Sequence, residues 1–133
     1  MIVLDTHALL WLDQGSPRLG SVARQAADDA LRGQCLAISA VSFWETAVLL
    51  QRNRIELDKP VEAWRQELLL SGLKEIPLDG AIAIAAIHLS ELHSDPADLF
   101  IVATAILSEA SLITADRRLL SWAGPLECLD ARS

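Results

Sequence analysis

Ile2-Val3-Leu4-Asp5 sets three aliphatic side chains in a row and ends them with an acid. An unbroken aliphatic run of strand length lacks the alternation of a half-exposed strand. It fits a strand covered on both faces, as in a parallel sheet. The same reading applies to residues 36–39, 75–78 and 111–114, and more weakly to 127–129.

Helical signals fill the intervals. Ser16-Pro17 has the form of an N-cap followed by proline at the first helical position, and predicts a helix to about residue 32, ended by Gly33. Ser42 and Glu45 make the S-x-x-E capping-box pattern before a helix reaching about residue 52. In residues 60–70, Val61, Trp64, Leu68 and Leu69 recur at helical spacing, and Gly72 stops the run. Asp79 is placed to cap a helix to about residue 92. Asp95-Pro96 starts another reaching about residue 109, and a short one covers about 117–122 before Gly124-Pro125. Strands alternating with helices imply right-handed crossovers and a central parallel sheet between helices, a three-layer α/β/α domain of four to five strands.

Composition agrees with one folded domain over residues 1–133. The chain is 52% hydrophobic and 22% charged, too apolar for disorder. Its longest nearly apolar stretch, residues 99–115, contains Thr104, Ser108, Glu109, Ser111 and Thr114, which argues against a membrane span. With no basic segment or cleavage site before Ile2-Val3-Leu4, the expected location is cytoplasmic. Cys35 and Cys128 have no metal-site spacing and read as reduced thiols. The formal net charge of −7 has the wrong sign for simple electrostatic binding of a polyanion, so such a substrate would need a metal ion or a partner.

Four acids stand where apolar runs stop or helices begin: Asp5, Glu45, Asp98 and Asp116. Ligands in an open α/β sheet collect beyond the carboxyl ends of the strands, where strand order reverses. Carboxylates gathered there repel one another unless a hard cation neutralises them, and Mg²⁺ or Mn²⁺ takes oxygen ligands. Each acid also has a structural use. Glu45 would complete the capping box with Ser42, Asp98 would favour a helix N-terminus, and Asp116 would cap the last helix. Asp95 fits a cap better than a ligand, whereas Asp5 has at most a one-turn helix to serve. His7, His88 and His93 show no zinc spacing, and nothing resembles a nucleophile elbow or a phosphate-binding glycine loop. Trp11, Trp44, Trp64 and Trp122 suit core packing or a partner groove.

Taken in order, four motifs resemble the PIN-domain ribonucleases, and within them the VapC-type toxins of bacterial toxin-antitoxin systems. They are Asp5-Thr6-His7-Ala8-Leu9-Leu10-Trp11, Ser42-Phe43-Trp44-Glu45, His93-Ser94-Asp95-Pro96-Ala97-Asp98 leading into Ile101-Val102-Ala103, and Thr114-Ala115-Asp116-Arg117. The resemblance implies that Asp5, Glu45, Asp98 and Asp116 are catalytic and bind one or two Mg²⁺ or Mn²⁺ ions, with Thr6, Ser42 and Thr114 in support. It implies in-line hydrolysis of RNA, with tRNA or rRNA as the expected target, and arrested translation. It further implies a small antitoxin partner, a homodimer and no membrane. Leu99 stands where many relatives carry Arg, and Arg117 and Arg118 are the candidates to contact RNA phosphates instead. The alternative is a PIN domain without catalysis that binds RNA or protein. A phosphatase reading of Asp5 lacks the second Asp two residues on, where His7 stands, and a receiver domain would want a late lysine, whereas the lysines are Lys59 and Lys74.

Overall fold

The computed structural model describes residues 1–93 and 95–133, so Ser94 of the third motif lies outside the described residues. Five parallel strands form the sheet: β1 (Ile2–Leu4), β2 (Leu36–Ser39), β3 (Lys74–Ile76), β4 (Ser111–Thr114) and β5 (Cys128–Asp130), in the order β3-β2-β1-β4-β5. The helices are α1 (Thr6–Asp13), α2 (Ser21–Arg32), α3 (Val41–Gln51), α4 (Val61–Leu70), α5 (Gly80–Ile87), α6 (Pro96–Leu107) and α7 (Arg117–Leu120).

Strand parity builds the layers. In β1, β2 and β4, Leu4, Leu36, Ile38 and Ile113 face one side, and pack with Leu9, Leu10, Ala23, Ala27 and Trp64 of α1, α2 and α4. Val3, Ala37 and Leu112 face the other side, against Ile101, Val102 and Ala105 of α6. These strand residues are fully buried, and each large one contributes roughly 1.5–3 kcal/mol relative to exposure. The expected three-layer α/β/α architecture is present, at the upper end of the strand count.

Several element ends differ from the sequence reading. The helix expected from Ser16 starts at Ser21, because the Ser16 hydroxyl accepts the Arg18 amide in a local turn. Gly20 then runs against residues 131–133, where a Cβ would collide with the Ser133 carbonyl oxygen. Ser42 and Glu45 form no capping box: α3 already starts at Val41, whose amide bonds the Ser39 hydroxyl. The Asp79 helix ends at Ile87, and the edge strands β3 and β5 each hold three residues. Asp5 caps a full eight-residue helix, α1.

The strand order reverses at β1. The chain steps outward through β2 and β3, then returns to β4 on the other side of β1. The crevice beyond the carboxyl ends of β1 and β4 is therefore the place where a ligand would meet loops from both halves.

Candidate functional site

Asp5 leaves β1 in extended conformation, and its Oδ1 accepts the Ala8 amide at 2.8 Å, which caps α1. Asp116 leaves β4 in the same way. The Asp116 Oδ1 accepts the amides of Arg118 at 2.8 Å and Leu119 at 3.4 Å, and its own amide bonds the Thr114 hydroxyl. Asp95 caps α6 through the Ala97 amide, with Pro96 at the first helical position, and Asp98 follows in the first turn. Three helix N-termini are thus aimed by acids at one crevice. The partial positive charge of each favours those carboxylates.

Glu45 comes from α3. Its Oε1 accepts the Thr6 hydroxyl at 2.5 Å, and Thr6 Oγ1 lies 3.1 Å from Ser42 Oγ. A hydroxyl has one proton, so Thr6 donates to the acceptor-only carboxylate and Ser42 donates to Thr6. All three side chains lie in or beside the core, and Thr6 and Ser42 are buried.

Asp5, Thr6, Glu45, Asp98 and Asp116 line one cleft of about 300 Å³. His93 closes it. The His93 Nδ1 accepts the Asp95 amide at 3.0 Å, which leaves the ring proton on Nε2. That nitrogen lies 2.7 Å from Asp116 Oδ2 and 3.3 Å from Asp98 Oδ2. Asp98 joins two sets of potential ligand atoms, each spanning no more than 4.8 Å: His93 with Asp98 and Asp116, and Glu45 with Asp95 and Asp98. Asp5 lines the same cleft but belongs to neither set.

Burial is the largest influence on each of these acids, and neighbouring groups modify it. Burial, then the nearby Glu45 and Asp95, push the Asp98 carboxyl from 3.8 up to about 7, against a smaller opposing effect of His93. Burial raises Glu45 despite the Thr6 bond, and raises Asp5 despite bonds from Thr114 and the Ala8 amide. Asp116 goes the other way. Burial favours its neutral form, but the bonds from His93 and the Arg118 amide outweigh this and lower it. A donor set of carboxylate oxygens, with the His93 Nε2–H turned toward Asp98 and Asp116 as a hydrogen-bond donor, fits a hard divalent cation.

The sequence assigns no site role to His93 or Arg132, and favours a cap over a ligand for Asp95. Asp95 is both a cap and a neighbour of Glu45 and Asp98. Arg132 lines the cleft with its guanidinium 5.6 Å from the Trp11 ring, and Nη1 donates to the Ala115 carbonyl. No sequence signal marks it, because residues 131–133 reach the cleft by docking on Gly20 and Val22. Arg117 and Arg118 are exposed at the start of α7 and do not line the cleft. Leu99 is buried against Ile82, Ala86 and Ala103, so it faces α5.

The PIN domain family model matches residues 2–124. The chain belongs to the PIN domain family. It is 37% identical over 125 residues to Ribonuclease VapC22 of Mycobacterium tuberculosis, with 93% of each chain covered. Among solved structures it is similar to VapBC2 from Rickettsia felis bound to a promoter DNA fragment, with TM-score 0.70, 19% identity and coverage of 97% of this chain and 98% of that one. It is also similar to a toxin-antitoxin complex from Klebsiella pneumoniae, with TM-score 0.62, 24% identity and coverage of 98% of both chains. Both similarities show the fold. Among the described residues, no helix is long and apolar enough to cross a membrane.

Proposed function

We propose that this PIN domain, taken as one domain over residues 1–133, is a metal-dependent endoribonuclease toxin acting in the cytoplasm. A cognate antitoxin would neutralise it, and its action on tRNA or rRNA would arrest translation. The observation that carries the reading is the meeting of Glu45, Asp95, Asp98 and Asp116 around one cleft beyond β1 and β4, with Asp5 on its wall and His93 against Asp98 and Asp116. The 37% identity to a ribonuclease over most of both chains supports the same chemistry.

Asp5, Glu45, Asp98 and Asp116 would hold Mg²⁺ or Mn²⁺, with Asp95 and His93 at its border. Such an ion supplies a more acidic water for in-line attack and charge neutralisation at the leaving oxygen. The protein does the positioning. Thr6, backed by Ser42, orients Glu45, and the Thr114 hydroxyl accepts the Asp116 amide. The His93 Nε2 proton separates Asp98 from Asp116. Arg117 and Arg118, on the helix that Asp116 caps, are available to phosphate groups.

An apolar groove of about 400 Å³, lined by Val41, Trp44, Leu78, Pro96 and Phe100, adjoins the cleft through Asp95. Trp44 is 63% exposed there, which suits an apolar antitoxin segment. Ile84 and Ile87 of α5, 65% and 66% exposed, would pack in a homodimer. The test is cleavage of tRNA and rRNA with Mn²⁺ and with EDTA. Cleavage in Mn²⁺ that is lost in EDTA and in Asp98→Asn supports the reading. RNA binding without cleavage in any metal would leave the non-catalytic binding module in its place.

A further inference from the structure

We infer that the RNA strand leaves the acidic cleft along one flank, over His7 and past Arg18 and Arg54. This path rests on the ribonuclease reading above and adds to it a direction and named phosphate contacts. A second depression, of about 590 Å³, lies beside the cleft and is lined by Gln14, Arg18, Arg54 and Glu56 among others. It shares His7 and Trp11 with the cleft, so the two hollows adjoin.

Charge selects the occupant. Glu56 is the single acid in the lining of this second hollow, against two guanidinium groups, in a chain of net charge −7. Among the described residues, no carboxylate lies within ion-pair distance of Arg18, Arg54 or Arg132, nor of Arg24, Arg52, Lys74, Arg117 or Arg118, and of these unpaired cations Arg18 and Arg54 line the second hollow. Cations left unpaired along a groove are available to phosphates, and a phosphate strand releases counterions by binding them. The hollow on the other side of Asp95 is apolar and has no cation in its lining. A polyanion entering the cleft therefore meets unpaired positive charge on the Arg18 and Arg54 flank. Arg132 stands at the junction, held by the Ala115 carbonyl and the Trp11 ring. The His7 imidazole is exposed between the two hollows and tilted against Trp11, a position in which an unstacked base finds an aromatic face.

The experiment measures binding of a fluorescent single-stranded oligoribonucleotide to the full chain carrying Asp98→Asn, in Mg²⁺, across a salt series. Adding Arg18→Ala with Arg54→Ala should weaken binding at least tenfold. It should also reduce the slope of log affinity against log salt by about 1.4, for two phosphate contacts on a single strand. Both arginines are exposed and bear no ion pair, so the melting temperature should stay unchanged. Unchanged affinity and slope would overturn the path, as would a loss seen only with Arg117→Ala and Arg118→Ala. Cleavage by the wild-type chain is measured alongside. A chain that cleaves RNA but binds it independently of Arg18 and Arg54 refutes the path and keeps the nuclease. A chain that binds through them but never cleaves refutes the nuclease and keeps the path.

Discussion

Asp98→Asn should stabilise the metal-free protein at neutral pH while destroying its response to metal. In the folded chain the Asp98 carboxyl is pushed from 3.8 up to about 7 by burial and by Glu45 and Asp95. A folded-state value above the unfolded one means that the native protein holds this proton longer. Stability therefore falls as pH rises from about 4 to about 7, and stays lowered above that. At about 1.36 kcal/mol per pKa unit the ceiling is roughly 4 kcal/mol. The side chain keeps 26% of its surface exposed, and solvent screening reduces the effect to about 1–2 kcal/mol. Asparagine keeps the shape and an acceptor for His93 without the charge.

The assay is thermal melting of both proteins at pH 7.5 and pH 4, in EDTA and in Mn²⁺. In EDTA at pH 7.5 the variant should melt roughly 3–8 °C higher, and near pH 4 the gap should nearly close. Saturating Mn²⁺ should reverse the order, because an ion at a hundredfold its Kd adds about 2.7 kcal/mol to the wild type and much less to the variant. A variant that melts at or below the wild type in EDTA at pH 7.5 would refute the account of Asp98 as a strained, repelled acid. Stabilisation by Mn²⁺ of equal size in both would refute its role as a ligand.

Four further outcomes follow from the same geometry. Because Asp98 must lose its proton to bind a cation, Mn²⁺ affinity measured by calorimetry should rise up to tenfold per pH unit below about 7 and level off above it; a flat profile from pH 5 to 8 counts against this. Thr6→Val removes the proton that Glu45 accepts and leaves Ser42 without its partner, so urea denaturation should report a loss of about 1–2 kcal/mol, and an unmoved midpoint would contradict the bonding described. His93→Ala exposes Asp98 and Asp116 to each other, and should cost about 1 kcal/mol in EDTA that saturating Mn²⁺ restores; an equal loss in both would mark His93 as packing only. Trp44→Ala should weaken antitoxin binding at least tenfold with RNA cleavage intact, and undiminished affinity would move the antitoxin to another surface.

The strands could be read from sequence because they are covered on both faces: Val3 and Leu4, or Leu112 and Ile113, point to opposite layers, yet both are apolar. α1 was hidden for the same reason. Ala8, Leu9, Leu10 and Trp11 are four consecutive buried residues, so the apolar run shows no 3.6-residue period, and the exposed His7 and Asp13 stand only near its ends. Capping chemistry located α5, α6 and α7 through Asp79, Asp95 and Asp116. It misled at Ser42 and Glu45, where a side chain 39 residues away, Thr6, competes successfully for the glutamate. His93 and Arg132 escaped because their partners, Asp116 and Trp11, are distant in sequence and close only through the sheet.

Capping and site chemistry are alternatives for a residue in a sequence but not for a carboxylate in space. An ionised carboxylate has two oxygens and several acceptor positions. Asp116 uses Oδ1 for the amides of Arg118 and Leu119, and Oδ2 for His93 in the cleft. Asp5 gives Oδ1 to Ala8, and its other oxygen remains for the cleft that it lines. Asp95 gives Oδ1 to Ala97 while one of its oxygens lies within 4.8 Å of Glu45 and Asp98. The cap fixes the rotamer, so each carboxylate is held in place before any ligand arrives, and the helix dipole offsets part of the repulsion. Asp98 has no such cap, and burial together with the charges of Glu45 and Asp95 pushes its carboxyl up to about 7. A cation at this site would therefore meet three acids already oriented and, in Asp98, an uncapped one that loses its proton as the ion binds, so Asp98 carries a pH dependence into the metal response.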